Sequence, residues 1–88
     1  RLIALANACR DSRIAITGHT DGTGSEAWNR VLSLRRANAV GDYFVRGGID
    51  RKRLDISGIG SENPVADDST RYGRSLNRRI EIELTPIN

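Results

Sequence analysis

The chain of 88 residues has one cysteine, one histidine and no long hydrophobic run. Because Cys9 has no partner in the chain, no internal disulfide can form. Cys9 lies in an apolar helical run, which favours a small buried side chain over a reactive thiol or an intermolecular bridge. No apolar stretch approaches the roughly 20 residues that cross a bilayer, and no signal-peptide pattern is present. The length predicts one domain with one modest core.

The scarcity of histidine also limits the chemistry. His19 alone does not make a metal site, and we expect it to be a hydrogen-bonding residue at a strand end. Without a second histidine or a well-placed lysine, no nucleophile–base–acid set can be assembled around Ser25 or Ser33. The adjacent carboxylates Asp67 and Asp68 are typical of a solvated loop end. The sequence therefore predicts no metal, no cofactor and no enzymatic activity.

The charge balance is mildly basic and dominated by arginine. There are 14 basic and 11 acidic residues, a net charge of +3, and Lys52 is the single lysine. The planar fork of arginine binds both oxygens of a carboxylate, which suits an anionic polymer, although genome composition explains the bias equally well. The net charge is small, the acids are interspersed and aromatic residues make up only 5%. We therefore predict no nucleic-acid binding.

Hydrophobic periodicity and turn residues divide the chain into alternating helices and strands. Helices are predicted over residues 2–9, 25–46 and 70–76, and strands over residues 14–18, 53–58 and 79–85. Thr23 and Glu26 fit a capping box at the start of the long helix, with Ser25 as a rival N-cap. Helical crossovers require parallel neighbouring strands. The order predicts an α/β (α+β) two-layer sandwich, with helices on one face of a mixed sheet.

A carboxylate and a guanidinium flank the start of the long predicted helix. Asp21 lies in a glycine-rich loop that feeds this helix, and Asn29, Arg36 and Val40 share one narrow stripe of it. An arginine on the buried side of a helix needs a partner, because an unpaired buried charge is costly. Asp21 is the natural candidate. The two groups can pair with each other, or can together hold a ligand that carries both an ammonium and a carboxylate.

Three motifs, in order along the chain, resemble the signatures of the OmpA-like peptidoglycan-binding domain. They are Gly18-His19-Thr20-Asp21 with Gly24, Asn29, Leu32-Ser33 and Arg36-Ala37; then Gly48-Ile49, Arg53-Leu54 and Gly58-Ile59-Gly60-Ser61-Glu62-Asn63-Pro64; then Gly73-Arg74-Ser75-Leu76-Asn77-Arg78-Arg79-Ile80-Glu81-Ile82. The resemblance implies a βαβαβ-β type of mixed sheet whose first strand is absent from this chain. It therefore implies one domain over residues 1–88, as an N-terminally incomplete fragment of a larger envelope protein.

The resemblance also implies a ligand for the charged pair. In this family the aspartate at the position of Asp21 holds the ammonium of diaminopimelate, in the peptide stem of Gram-negative peptidoglycan. The arginine at the position of Arg36 holds the carboxylate of the same residue. The structural alternatives are a carboxylate that stabilises the helix N-terminus by about 0.3–1 kcal/mol, and an Asp21–Arg36 ion pair without a ligand.

Further binding residues are implied by the same resemblance. The backbone amides of the Thr20–Gly24 loop, which includes Gly22 and Thr23, are expected to face the ligand. Asn29 is expected either to hydrogen-bond the ligand or to lock the loop. Arg78 is expected to approach the ligand carboxylate, the alternative being an ion pair with an acidic side chain: Asp21, Asp67 or Glu62.

The family context places the domain in the periplasm, attached to the outer or the inner membrane through its parent protein. The signal and any membrane anchor are then expected upstream of Arg1. The alternative function is a protein–protein interaction module of an envelope assembly, such as a flagellar stator or a secretion system, or a homodimer contact. In that case changes at Trp28, Tyr72 or Phe44 are expected to matter more than a change at Asp21.

Overall fold

The computed structural model describes Ala4 and residues 12–86. The predicted first helix and Cys9 fall outside these residues, apart from Ala4, which is helical. The elements in chain order are β1 (Ser12–Gly18), α1 (Glu26–Arg46), a 3-10 turn (Arg51–Arg53), β2 (Leu54–Gly58), α2 (Arg71–Asn77) and β3 (Ile80–Pro86). β1 begins at Ser12, two residues before the strand predicted over residues 14–18.

The described sheet has β1 at its centre, in the order β2-β1-β3. β1 runs parallel to β2, to which α1 connects it, and antiparallel to β3. Ile16 is paired with Ile56 on one side and with Ile82 on the other. The mixed sheet predicted from the sequence is therefore confirmed.

The core lies between the sheet and α1, which packs against β1 and β2. Alternate residues of β1 are buried, as the period of two in a strand requires. The fully buried apolar side chains are Ile14, Ile16, Ala37, Phe44 and Ile49. The alternative interaction function included Phe44 among its contact residues, but the Phe44 side chain is buried and cannot form part of a surface. It belongs to the buried stripe of α1, which consists of Asn29, Ser33, Ala37, Gly41 and Phe44.

The ends of α1 are fixed by local chemistry. Ser25 is the N-cap, and its hydroxyl accepts a hydrogen bond from the Trp28 N–H at 3.1 Å. Ser25, rather than Thr23, is therefore the N-cap. The Glu26 carboxylate does not complete a capping box but accepts hydrogen bonds from the Ser61 N–H and hydroxyl. At the other end, the Gly47 N–H caps the last turn, as the Gly47-Gly48 stop signal predicts.

Two glycines bring the sheet unusually close to α1. Gly18 and Gly58 are register partners at the carboxyl ends of β1 and β2. A Cβ on Gly18 would overlap the backbone carbonyl of Ser33, and a Cβ on Gly58 would overlap the backbone of Leu34. The helix therefore rests directly on the strand ends. This contact places the loop after β1 beside the first turns of α1.

Candidate functional site

The loop after β1 is tied to its neighbours on both sides. The His19 N–H donates to the Arg79 carbonyl at 2.8 Å, which extends the β1–β3 pairing by one residue. The Thr20 N–H donates to the Gly60 carbonyl at 2.9 Å. Gly60 in turn donates its N–H to the Ser33 hydroxyl at 3.0 Å. The loop therefore leaves the sheet in a fixed direction, toward the N-terminus of α1.

Asp21 is the buried carboxylate of this loop, with 7% of its surface exposed. One of its oxygens accepts the Thr23 N–H at 2.9 Å, and the other accepts a guanidinium N–H of Arg78 at 2.6 Å. Burial alone would raise the pKa of Asp21, but the bonds from Thr23 and Arg78 outweigh it, so that the pKa lies below 3.8. Asp21 is therefore an ionised group at neutral pH, held in one orientation.

Arg36 is not the partner of Asp21. Its side chain is exposed, and it makes no hydrogen bond or ion pair within the part of the chain that the structure describes. The expected Asp21–Arg36 pair fails because the centre of the buried stripe runs through Ser33 and Ala37. Arg36 precedes Ala37 and points about 100° away from it. The partner is Arg78, which was one of the alternatives raised for that residue.

Asn29 locks the loop. It is 4% exposed, and its amide nitrogen donates to the Asp21 carbonyl at 3.3 Å and to the Thr23 carbonyl at 3.2 Å. Two roles were left open for Asn29, a hydrogen bond to the ligand or a lock on the loop, and these hydrogen bonds correspond to the second. Both amide hydrogens are used in it.

Three amides expected to face a ligand already have partners inside the protein. The Thr20 N–H bonds to Gly60, the Gly22 N–H bonds to an Asp68 carboxylate oxygen at 2.7 Å, and the Thr23 N–H bonds to Asp21. These three amides hold the loop itself in shape. The expectation that they bind a ligand directly is therefore not supported by their geometry, because each donor is satisfied.

Asp68 and Asn77 complete the site, and sequence reasoning missed both. Asp68 is half-buried rather than solvated. Asn77 is fully buried, and its side chain bonds to Asp68 and to the backbone of Val65 and Ala66. One signal was available: Asn77 directly precedes Arg78, which was itself expected to approach the ligand. The pairing with Gly22, 46 residues earlier, has no local sequence pattern.

His19 is buried, with 3% exposure, and its ring is not hydrogen-bonded within the described residues. The expected hydrogen bonding at the strand end involves its backbone rather than its ring. Its Nε2 lies 3.4 Å from a carboxylate oxygen of Glu81, without hydrogen-bond geometry. Burial, followed by the charge of Arg79, lowers the pKa of His19 below 6.5, and Glu81 opposes this only in part. The imidazole is therefore neutral at pH 7.

We expect His19 to make folding stability depend on pH. A folded-state pKa below the unfolded value of 6.5 means that the unfolded chain binds more protons. The stabilisation is complete above that value and is lost as the pH falls below it, by at most about 1.4 kcal/mol per pH unit. Denaturant unfolding at several pH values between about 7 and about 5 gives the free energy of unfolding as a function of pH. This free energy should fall less steeply with falling pH for His19→Gln than for the unsubstituted chain. Equal slopes would contradict the assignment.

Two observations bear on other kinds of site. Among residues 12–86 no three histidine, cysteine, aspartate or glutamate side chains gather in a way that could hold a metal ion. Within the same range, no helix has the length and apolar character needed to span a bilayer.

Comparison with known proteins identifies the family and the fold. The OmpA family model matches residues 1–78. The chain belongs to the OmpA family. It is 48% identical over 75 residues to the peptidoglycan-binding protein ArfA of Mycobacterium bovis, and 47% identical over 70 residues to outer membrane porin F of Pseudomonas aeruginosa. These matches cover 85% and 78% of this chain, but only 23% and 20% of the two relatives.

Solved structures agree with this assignment. The peptidoglycan-associated lipoprotein of Burkholderia pseudomallei superposes with a TM-score of 0.90 at 25% identity, over 96% of this chain and 71% of that one. The cell wall anchor of the T6SS from P. aeruginosa superposes with a TM-score of 0.76 at 32% identity, over 92% and 62% of the two chains. The α+β fold with a mixed sheet is thus that of an OmpA-like domain.

Proposed function

We propose that this OmpA-family domain binds peptidoglycan without catalysis, through the diaminopimelate of the stem peptide, and so anchors a cell-envelope protein to the wall. The observation that carries the proposal is Asp21: an ionised, nearly buried carboxylate at the mouth of the loop, with a pKa held below 3.8. A fixed carboxylate of this kind is a ready partner for a ligand ammonium, because the cost of orienting it is met in folding.

Arg36 supplies the second charge. Asn29 is hydrogen-bonded to the Asp21 backbone, so Asp21 lies beside the first turns of α1. Arg36 is seven residues after Asn29, about 10 Å further along the helix axis. Helical side chains lean toward the N-terminus, which is the end of α1 where Asp21 lies, so we expect an extended Arg36 side chain to approach the ligand from that side. We expect a group with an ammonium and a carboxylate on one carbon to engage both residues at once. Because Arg36 is exposed and unpaired within the described residues, it is available for that carboxylate.

Arg78 adds a further contact to the same ligand group. Its side chain is 45% exposed, and one terminal nitrogen is used by Asp21. A guanidinium has five N–H donors, so donors remain for a carboxylate placed beside Asp21. With two or three charge-assisted bonds, less the cost of association, a single stem peptide should bind in the micromolar to millimolar range. Firm anchoring then comes from many copies on one polymer.

The names of the relatives support an envelope location for the parent protein. ArfA is named as a peptidoglycan-binding protein, and the P. aeruginosa relatives include outer membrane porin F and the outer-membrane lipoprotein YfiB. We place this domain in the periplasm on that basis. Co-sedimentation of the purified protein with isolated cell-wall sacculi tests the function directly. A protein that stays in the supernatant at every sacculus concentration would contradict it.

Replacing Arg36 should change which stem peptide is bound. The lysine that replaces diaminopimelate in some walls has the ammonium but no adjacent carboxylate, so Arg36 has nothing to hold there. We expect Arg36→Ala to weaken binding of a diaminopimelate peptide by about tenfold or more, and to leave the weak binding of a lysine peptide unchanged. Calorimetric titration of both peptides measures this. The neighbouring Arg35→Ala, which removes the same charge, is the control and should affect neither peptide.

A second candidate function is protein–protein interaction, and the exposed aromatic side chains favour it. Tyr72 is 76% exposed, and Trp28 is 52% exposed with the Arg35 guanidinium 5.6 Å from its ring centre. Exposed aromatics of this size are enriched in contact surfaces. If Trp28→Ala and Tyr72→Ala disrupt the assembly of the parent protein while Asp21→Ala does not, this second function is the better one.

A further inference from the structure

Asp68 contacts the Asp21 loop from a chain segment other than α1. Asn29 holds the Asp21 loop from the α1 side, through two backbone carbonyls. Asp68 accepts the N–H of Gly22, the residue directly after Asp21, at 2.7 Å. The loop is thus fixed from two sides, by a helix and by a segment 46 residues later in the chain.

Gly22 is needed for this contact rather than for a turn. Its φ is not positive, since the positive-φ glycines among the described residues are Gly24, Gly48 and Gly60. A Cβ on Gly22 would overlap the Asp68 carboxylate. The absence of a side chain at Gly22 therefore allows Asp68 to approach the loop backbone.

The Asp68 carboxylate is itself held in place. Its second oxygen accepts the Asn77 side-chain N–H at 3.1 Å, and its backbone carbonyl accepts a guanidinium N–H of Arg74 at 3.1 Å. Asn77 is fully buried and bonded to Ala66 as well. Asp68 therefore presents a pre-oriented acceptor, and both of its oxygens are used.

The same chain segment fixes two successive loop residues. Asn77 orients Asp68, which holds Gly22, and the next residue, Arg78, bonds to Asp21. We propose that Asp68 is a positioning residue of the ligand site: it holds the backbone at Gly22 so that the Asp21 carboxylate stays aligned with Arg78 and with the incoming ammonium. This inference rests on the proposed function.

The role predicts a loss of affinity that exceeds any loss of folded protein. We expect Asp68→Ala to weaken binding of a soluble diaminopimelate stem peptide on the order of tenfold, at a temperature where the variant is fully folded. Asp68→Asn keeps one acceptor oxygen and should lose less. Asp42→Ala is the matched control, because it removes a carboxylate bonded to Arg51 at 2.7 Å, outside the site, and it should bind as the unsubstituted chain does.

Amide hydrogen exchange at Gly22 gives a readout without ligand. The Gly22 N–H should be protected in the unsubstituted chain and in Asp42→Ala, and should exchange faster in Asp68→Ala while the β1 amides stay protected. If Asp68→Ala binds the peptide as tightly as the unsubstituted chain, the positioning role is overturned and the proposed function stands. If the unsubstituted chain does not bind the peptide, the proposed function is wrong and this inference falls with it.

Discussion

Replacing Asp21 by asparagine should abolish detectable binding to sacculi while leaving the fold intact. The substitution removes the charge that faces the ligand ammonium, and with it the charge-assisted bond to Arg78. Such bonds contribute about 1.5–3 kcal/mol each, so the affinity for one stem peptide should fall about tenfold to a hundredfold. Because many weak contacts act together on the wall, binding to sacculi should fall further still.

Asparagine is the sharper choice than alanine at this position. Its side-chain carbonyl can still accept the Thr23 N–H that Asp21 accepts at 2.9 Å, so the loop keeps its shape. Asp67→Asn is the matched control. Asp67 is exposed and bonds to the neighbouring Ser69 N–H at 2.9 Å, and its loss should leave the co-sedimented fraction unchanged.

The measurement is co-sedimentation beside a denaturation curve for each variant. A folded Asp21→Asn protein that pellets with sacculi as the unsubstituted chain does would exclude the loop as the wall-binding site. It would direct attention to the exposed aromatic residues instead. A variant that has lost both binding and cooperative unfolding would assign Asp21 a structural role, and the peptide titration of Arg36→Ala would then decide the function.

Local patterns predicted the three strands and both helices found among residues 12–86, but not the 3-10 turn at Arg51–Arg53. The Gly47-Gly48 stop ends α1 at Arg46, and the alternation of Ile80, Ile82 and Leu84 with glutamates identifies β3. These signals depend on residues close in sequence, where backbone geometry and solvent exposure act directly. The parallel pairing of β1 with β2 follows from the helix that connects them, whereas the antiparallel pairing of β1 with β3 is a long-range feature of the fold.

The partners within the site do not follow from local patterns. On a helical projection Asn29 and Arg36 lie about 20° apart, so they were assigned the same environment. The loop covers only the end of α1 near Asn29, and Arg36, two turns further on, stays in solvent. Asn29 lies at the loop end of the buried stripe of α1, and its contacts with the loop distinguish it from Arg36. The Asp21–Arg78 and Gly22–Asp68 contacts join residues 57 and 46 positions apart, and no periodicity records them.

Gly18→Ala should strongly destabilise the domain, because it adds a methyl group where α1 contacts β1. The new Cβ would overlap the carbonyl oxygen, the carbonyl carbon and the Cα of Ser33, all of which are backbone atoms of α1. A flexible side chain could turn aside, but a helix backbone cannot. Relief requires α1 to rise from β1, which opens the packing around Ile16 and Ala37. We expect a loss of at least about 3 kcal/mol in the free energy of unfolding, a large part of the total for a domain of this size.

Gly24→Ala separates this steric cost from the general cost of replacing a glycine. A Cβ on Gly24 meets no atom within 4 Å, but its φ of +87° makes alanine unfavourable by about 1–2 kcal/mol. Chemical denaturation should therefore give a much lower free energy of unfolding for Gly18→Ala than for Gly24→Ala. If the free energy of unfolding of Gly18→Ala lies within about 1 kcal/mol of that of the unsubstituted chain, then α1 can move off the strand ends at little cost. The contact between Gly18 and α1 would then not fix the loop that carries Asp21 in the way that the proposed site requires.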